Sequence, residues 1–334
     1  MKKRVVFLDL YRTIGILFMI MGHVGFGGVF YKFIYAFNMP MFFFLTGYFF
    51  RPSDDIPNIL LKKIKKLLLP YLTVTLIFCF VGYIFQLGKG LIDNFTNFII
   101  GDTNNMIIGA AIWYLLSMFF AELIYNFINL LLKNEMFKFF TCLITVVIGL
   151  FFSNLDIFIY FGIVPALVGV GFIYLGDQFK KYSELLIDKI DEFDPQKFLF
   201  IIFFITFLNT LLIFLNEEVN MRINQYGFIP LFWINSITSI LLIFCVSYFL
   251  NKFITKSYTK FKKYYYNFLE IGRNSIIYLC FNQLIIFLLN YFSIRMIVAP
   301  KIILKIIILV MTLIILNILN KIISKSKFKI LFGL

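Results

Sequence analysis

Ionisable residues are scarce in this chain. Lysine, arginine, aspartate and glutamate make up 14% of its 334 residues, and there is one histidine, His23. That excludes an ordinary soluble domain, where about a quarter of residues carry charge. Cysteine is as sparse: Cys79, Cys142, Cys245 and Cys280 all fall within hydrophobic runs, with neither a disulfide framework nor metal-ligand spacing. They read as buried apolar filler, and no metal is expected. No serine elbow or catalytic-cysteine context is present. Gly25, Gly27 and Gly28 lack the spacing and strand context of a phosphate-binding loop, and are expected to end a helix. Acidic residues number 17 against 31 basic ones, for a net charge of +14. The lysines gather in alternate loops, as membrane topology demands, so no nucleic-acid partner is expected. No internal repeat is visible.

Apolar residues fill the gap. They amount to 61% of the chain, aromatics to 20%, and the mean hydropathy is +0.93. Runs near twenty residues recur from end to end, each long enough to cross a hydrocarbon core of about 30 Å. The fold class expected is all-α: a polytopic integral membrane protein with about ten transmembrane helices. The spans read as 5–24, 33–50, 67–87, 109–132, 138–153, 157–176, 198–215, 229–250, 269–291 and 301–320. Ser153-Asn-Leu-Asp156 reads as the tight turn after the fifth. The basic start Met1-Lys-Lys-Arg4 resembles a signal peptide, but Asp9 and Arg12 interrupt the run behind it and no cleavage site follows. A retained first span is the reading. With a cytoplasmic N-terminus, 23 lysines and arginines flank the spans inside, against 5 outside: Lys32, Lys89, Arg222, Arg295 and Lys301. Both termini are therefore expected in the cytoplasm of a multi-pass cell-membrane protein. Residues 1–334 read as one transmembrane domain, with 177–197 as its longest polar connector.

The ionisable residues that do enter spans carry the chemistry, because each costs about 3 kcal/mol on insertion scales. Arg12 and His23 are eleven positions apart in the first span. At about 100° per residue this is three turns plus about 20°, so a helix sets both on one stripe. Asp9, three residues before Arg12, joins it. Along the axis Arg12 and His23 stand roughly 16 Å apart, Arg12 toward the inner end and His23 toward the outer. They do not touch, but they suit two parts of one long substrate, or a donor and an acceptor. The blander alternative has Asp9 neutralising Arg12 and His23 snorkelling to the interface.

Other candidates lie further on. Pro40 interrupts the second run, and the short connection before it sets Asn38 at the depth of His23. Lys62-Lys-Ile-Lys-Lys66 is a juxtamembrane basic cluster suited to anionic membrane lipid, or to a phosphorylated cytoplasmic substrate. Trp113 opens the fourth span, and Glu122 within it is left to face a cavity or Arg12. Glu270 and Arg273 are spaced to pair with each other, and Asn274 and Asn282 add polarity to the ninth span.

Taken together these residues resemble the acyltransferase 3 family of membrane proteins, which O-acylate carbohydrates. Phe7-Leu-Asp-Leu-Tyr-Arg12 followed by Gly22-His23 looks like the family's first-span arginine–histidine motif. Pro40-Met-Phe-Phe-Phe-Leu-Thr-Gly47 is similar to its Pro-x-Phe-Phe-x-x-Ser-Gly signature, with Thr46 for serine. Lys65-Lys-Leu-Leu-Leu-Pro-Tyr71, Ile112-Trp-Tyr-Leu115 and Gly272-Arg-Asn-Ser-Ile-Ile-Tyr278 look like its later landmarks, and the branch most alike is the fucose 4-O-acetylase-like group. Many members carry a histidine shortly after that last tyrosine, where this chain has Phe281-Asn282-Gln283, so its role is absent here or passes to Asn282.

The resemblance implies ten spans, acetyl-CoA as acyl donor from the cytoplasm, and a carbohydrate or lipid-linked glycan as acceptor. His23 is then the expected base and Arg12 the residue that binds the acyl-CoA. Asp9, Asn38, Trp113, Glu122 and Asn282 are the expected substrate-binding residues. A transporter or flippase for a glycan intermediate is the alternative, with Arg12, His23 and Glu122 lining a path, and a non-catalytic scaffold is a weaker one. Marked features cluster in the first two spans and not in two symmetric halves, which favours a single site.

Overall fold

A computed structural model describes residues 5–85, 95–97, 100, 110–153, 155, 159–256, 259–293 and 301–334. Lys2, Lys3, Arg4, Lys89 and Arg295, counted above, lie outside these residues, as does part of the Ser153–Asp156 turn. Among the described residues ten helices are long and apolar enough to cross a membrane. They run Val6–Val24, Gly28–Tyr48, Ile56–Ile84, Trp113–Leu131, Glu135–Ser153, Tyr160–Glu192, Pro195–Leu215, Ile229–Lys256, Ser275–Phe292 and Lys301–Lys325. The described chain is helices and turns, with one antiparallel bridge between Asn220 and Gln225. It is an all-α, polytopic membrane protein.

Polarity sorts the spans from centre to rim. The first span is 61% buried, packed against the second, eighth, ninth and tenth spans and a separate helix, Thr259–Arg273. The seventh and tenth, with the highest mean hydropathies (2.7 and 2.9), are only 17% buried. Lipid tails are as apolar as leucine, so a wholly apolar helix gains little by moving inward, whereas a helix carrying Asp9, Arg12 and His23 needs protein partners. The second and sixth spans cross where Gly47 lies against the Ile173 carbonyl and Gly176 against the Phe44 carbonyl. A Cβ at either glycine would collide with backbone, which is why the second-span motif ends in glycine.

Three boundaries depart from the sequence reading. The ninth span does not start at 269: an amphipathic helix, Thr259–Arg273, runs through that position, and the span begins at Ser275 after a break at Asn274. Four lysines or arginines in that helix (Lys260, Lys262, Lys263 and Arg273) suit an interface and not a crossing. The connector 177–197 is no loop through most of its length, because the sixth-span helix continues to Glu192. Leaving the bilayer does not end a helix whose charged residues are good helix formers. The third helix starts at Ile56, not 67, and contains a π turn at Ile64–Leu68. Pro70 supplies no N–H to the Lys66 carbonyl, and the ladder shifts to the longer Leu69 N to Ile64 O bond.

Candidate functional site

The first span ends at Gly25, whose left-handed backbone (φ 77°) caps it through a bond to Met21 O. The Lys305 ammonium, from the tenth span, donates to the Gly25 carbonyl. A short helix, Gly28–Tyr35, follows, and the chain breaks at Ala36–Phe37 before resuming at Asn38. Ser236 Oγ holds the break by donating to Ala36 O at 2.7 Å. Pro40 therefore sits in a first helical turn, where its missing N–H costs nothing. The break sets Asn38 beside His23, and both line an outer cavity of about 140 Å³ with Trp113.

His23 is held by Asn282, whose Oδ1 lies 2.5 Å from the ring Nδ1. Both Asn282 amide protons are already committed, to Tyr278 O at 2.9 Å and Leu279 O at 2.8 Å. Oδ1 is thus the atom facing the imidazole, Nδ1 carries the proton that bonds it, and Nε2 is left as the proton acceptor. Asn282 itself is buried behind the ring and does not line the cavity. Asn38 Oδ1 is buried with no hydrogen-bond partner among the described residues. Tyr31 and Tyr35 stack at 3.7 Å on the same cavity, and Gln283 Oε1 accepts from Ala111 N at 2.9 Å on its wall.

Arg12 lines a second cavity, of about 450 Å³, toward the basic side. Among the described residues its lining has five cationic side chains, Arg12, Arg51, Lys63, Lys66 and Arg273, against one acidic side chain, Glu122. Glu122 pairs with Lys63 from the third helix. The π turn follows Lys63 directly and contains Lys66, both on this wall, in keeping with the placement of such turns at functional sites. The Arg12 guanidinium lies 4.8 Å over the Phe49 ring and 3.7 Å from Asp9 Oδ1.

Asp9 stands behind Arg12 and off the cavity lining. Its Oδ2 accepts from Arg273 Nε at 3.0 Å, and Arg273 Nη1 donates to Glu270 at 3.1 Å. Burial weighs against charge on Arg273, but these two carboxylates outweigh it and raise its affinity for the proton above the ordinary arginine value. Gly272 makes the junction possible: its N–H donates to Thr13 Oγ1 at 3.1 Å, and a Cβ there would strike Asp9 O.

Leu279 lines both cavities and so lies at the septum where they meet. Adjacent residues or residues one helical turn apart line opposite chambers: Trp113 the outer and Tyr114 the inner, Met19 the outer and Ile16 the inner. Of the residues singled out from sequence, His23, Asn38 and Trp113 gather outside, Arg12 and Glu122 inside, with Asp9 and Asn282 one layer behind as braces. Missing from that reading are Tyr31, Tyr35 and Arg222 in the outer chamber and Arg51 in the inner one. No periodicity marks them, since three sit in short outer segments and Arg51 in a loop.

A model of the acyltransferase domain of the acyltransferase 3 family matches residues 5–320. The chain belongs to the acyltransferase 3 family. It is therefore a membrane acyltransferase. The family landmarks converge in space as well: Thr46, Lys66, Tyr114, Leu115 and the stretch Gly272–Ser275 all line the chamber of Arg12. No curated protein and no solved structure matches the chain.

Proposed function

We propose that this acyltransferase moves an acetyl group from cytoplasmic acetyl-CoA to a hydroxyl of a cell-surface polysaccharide or its lipid-linked precursor, in the cell membrane. The observation that carries the reading is the pairing of a polycationic chamber with one holding a tautomer-fixed imidazole, the two sharing Leu279 in their linings. The donor is a polyanion with a long, thin arm. Arg12, Lys63 and Lys66 suit its phosphates, Arg12 with the planar fork that matches a phosphate edge. The roughly 16 Å between Arg12 and His23 is of the order of a pantetheine arm's reach.

On the outer side Nε2 of His23 takes the proton from the acceptor hydroxyl. The oxygen then attacks the thioester carbonyl; a C–O bond forms, the C–S bond breaks, and the imidazolium returns its proton to the departing thiolate. Such a base contributes roughly 10²- to 10⁴-fold. Asn282 positions the ring, while Trp113 and Asn38 offer an aromatic face and a buried carbonyl oxygen to a sugar ring and its hydroxyl. Catalysis is supported over transport by the lopsided charge, since a conduit for a glycan has no need of a basic chamber on one side of a septum.

The test is mass spectrometry of surface glycans from cells with and without the gene. The reading expects an acetyl substituent present with the gene and lost without it. Identical glycan masses in the two strains would refute it.

A further inference from the structure

A base alone does not complete acyl transfer. When a hydroxyl oxygen adds to a thioester, the carbonyl π pair moves onto the carbonyl oxygen, and that oxyanion needs a hydrogen-bond donor already in place. Several polar groups of the outer site are spent elsewhere. The Nδ1–H of His23 bonds Asn282 Oδ1, and both Asn282 amide protons bond Tyr278 O and Leu279 O. Asn220 Nδ2 is engaged at Tyr31 OH, 3.0 Å away, and the orphaned atom of Asn38 is an acceptor.

Gln283 retains a donor. It lines the chamber with His23, Asn38 and Trp113. A backbone N–H can only donate, so the atom that meets Ala111 N at 2.9 Å is Gln283 Oε1, and this fixes the orientation of the amide. Nε2 is the end left for a ligand, and Gln283 makes no other hydrogen bond among the described residues. The same bond joins two walls, because Ala111 lies in the short turn Ala110–Ile112 that leads into Trp113. The ninth span supplies the rest of the geometry. Leu279, at the septum, is four residues before Gln283, so the two share a helix face about 6 Å apart along the axis. An acyl arm that crosses at Leu279 meets Gln283 one turn further out. Asn282, the adjacent residue, holds the His23 ring.

Resting on the reading that an acetyl thioester reaches the outer chamber and His23 is its base, we infer that Gln283 is a further catalytic residue, whose Nε2–H donates to the oxyanion. The acceptor hydroxyl gives its proton to His23 Nε2 as its oxygen bonds the carbonyl carbon. The π pair becomes the oxyanion held by Gln283 Nε2–H, and returns to re-form the carbonyl as the C–S bond breaks. The thiolate then takes the proton from the imidazolium. Base and oxyanion donor are thus set by adjacent residues of one helix, Asn282 through His23 and Gln283 directly. A glutamine that served only to anchor Ala111 would depend on Oε1 and not on Nε2, and that difference is open to experiment.

The protein in nanodiscs is given acetyl-CoA and the glycan isolated from cells lacking the gene, with thermal melting to count the folded protein. Gln283→Glu keeps an oxygen for Ala111 N and removes the donor. Gln283→Met keeps the length of the side chain and removes both. Each is expected to lower kcat about 10²- to 10³-fold with the KM for acetyl-CoA within about threefold of wild type. A loss confined to Gln283→Met would reduce Gln283 to an anchor for Ala111, and a loss confined to Gln283→Glu would be repulsion by the new carboxylate. Either overturns the inference, as does a kcat within about threefold of wild type in both. A raised KM at unchanged kcat would put the amide on the donor's ground state and likewise overturn it. No transfer by the wild-type chain defeats the underlying reading instead, and the inference with it.

Discussion

Replacing Asn282 by leucine isolates the device that orients the base. The side chain is fully buried and of similar size to leucine, so the change removes an acceptor without opening a cavity. Its amide donors bond Tyr278 O and Leu279 O on its own helix, carbonyls that the helix ladder already serves, and their loss costs little. The loss that matters is at His23, where Nδ1–H gives up its 2.5 Å bond to Oδ1. A buried donor left without a partner costs about 1–3 kcal/mol. The ring avoids that cost only by turning or by moving its proton to Nε2, and either removes the base. At about 1.4 kcal/mol per tenfold, kcat is expected to fall about 5- to 150-fold. The assay is initial-rate acetyl transfer by detergent-purified protein, with thermal melting as a check on folding. A variant that melts like wild type and keeps kcat within twofold would refute the orienting role of Asn282.

Other outcomes follow from the inner chamber and the septum. Arg12→Ala is expected to raise the KM for acetyl-CoA about 10- to 150-fold, the worth of a charged hydrogen bond to phosphate, and an unchanged donor KM in initial-rate assays would contradict it. Asp9→Asn leaves Arg273 and Arg12 without their shared buried carboxylate. The guanidiniums keep a fifth or more of their surface exposed, so the expected loss is about 2 kcal/mol, below that of a fully buried pair, and is read as a lower melting temperature. Leu279→Ala should raise the ratio of butyryl to acetyl transfer and Leu279→Trp should lower both rates; an unaltered ratio would remove Leu279 from the path of the acyl group.

Much of the architecture was legible because lipid imposes a simple rule on each helix alone. Ten apolar runs and the lysine asymmetry suffice for ten crossings, and the stripe of Asp9, Arg12 and His23 needs only the helical repeat. Boundaries at the basic interface were harder. Helix propensity carries the sixth span out to Glu192 and starts the third at Ile56, and hydropathy is blind to both. The break at Asn274 was hidden because Leu269-Glu-Ile-Gly-Arg273 is apolar enough to join a span, while its function is to bring Gly272 onto the first helix. In the site, the residues on the first span could be placed relative to one another. Arg222, Tyr31 and Tyr35 depend on how outer segments fold over the bundle, a matter of tertiary packing that no period records. The partner of Glu122 was open for the same reason: Lys63 comes from a different helix.

Sided transfer in vesicles of uniformly oriented protein tests the two-chamber mechanism most directly. Radiolabelled acetyl-CoA is supplied only on the basic face and glycan acceptor only on the other, and wild type is compared with His23→Ala. The account predicts labelled glycan on the far side with the wild-type protein and none with the variant. Equal label with His23→Ala, or label that forms only when donor and acceptor share a face, would contradict it.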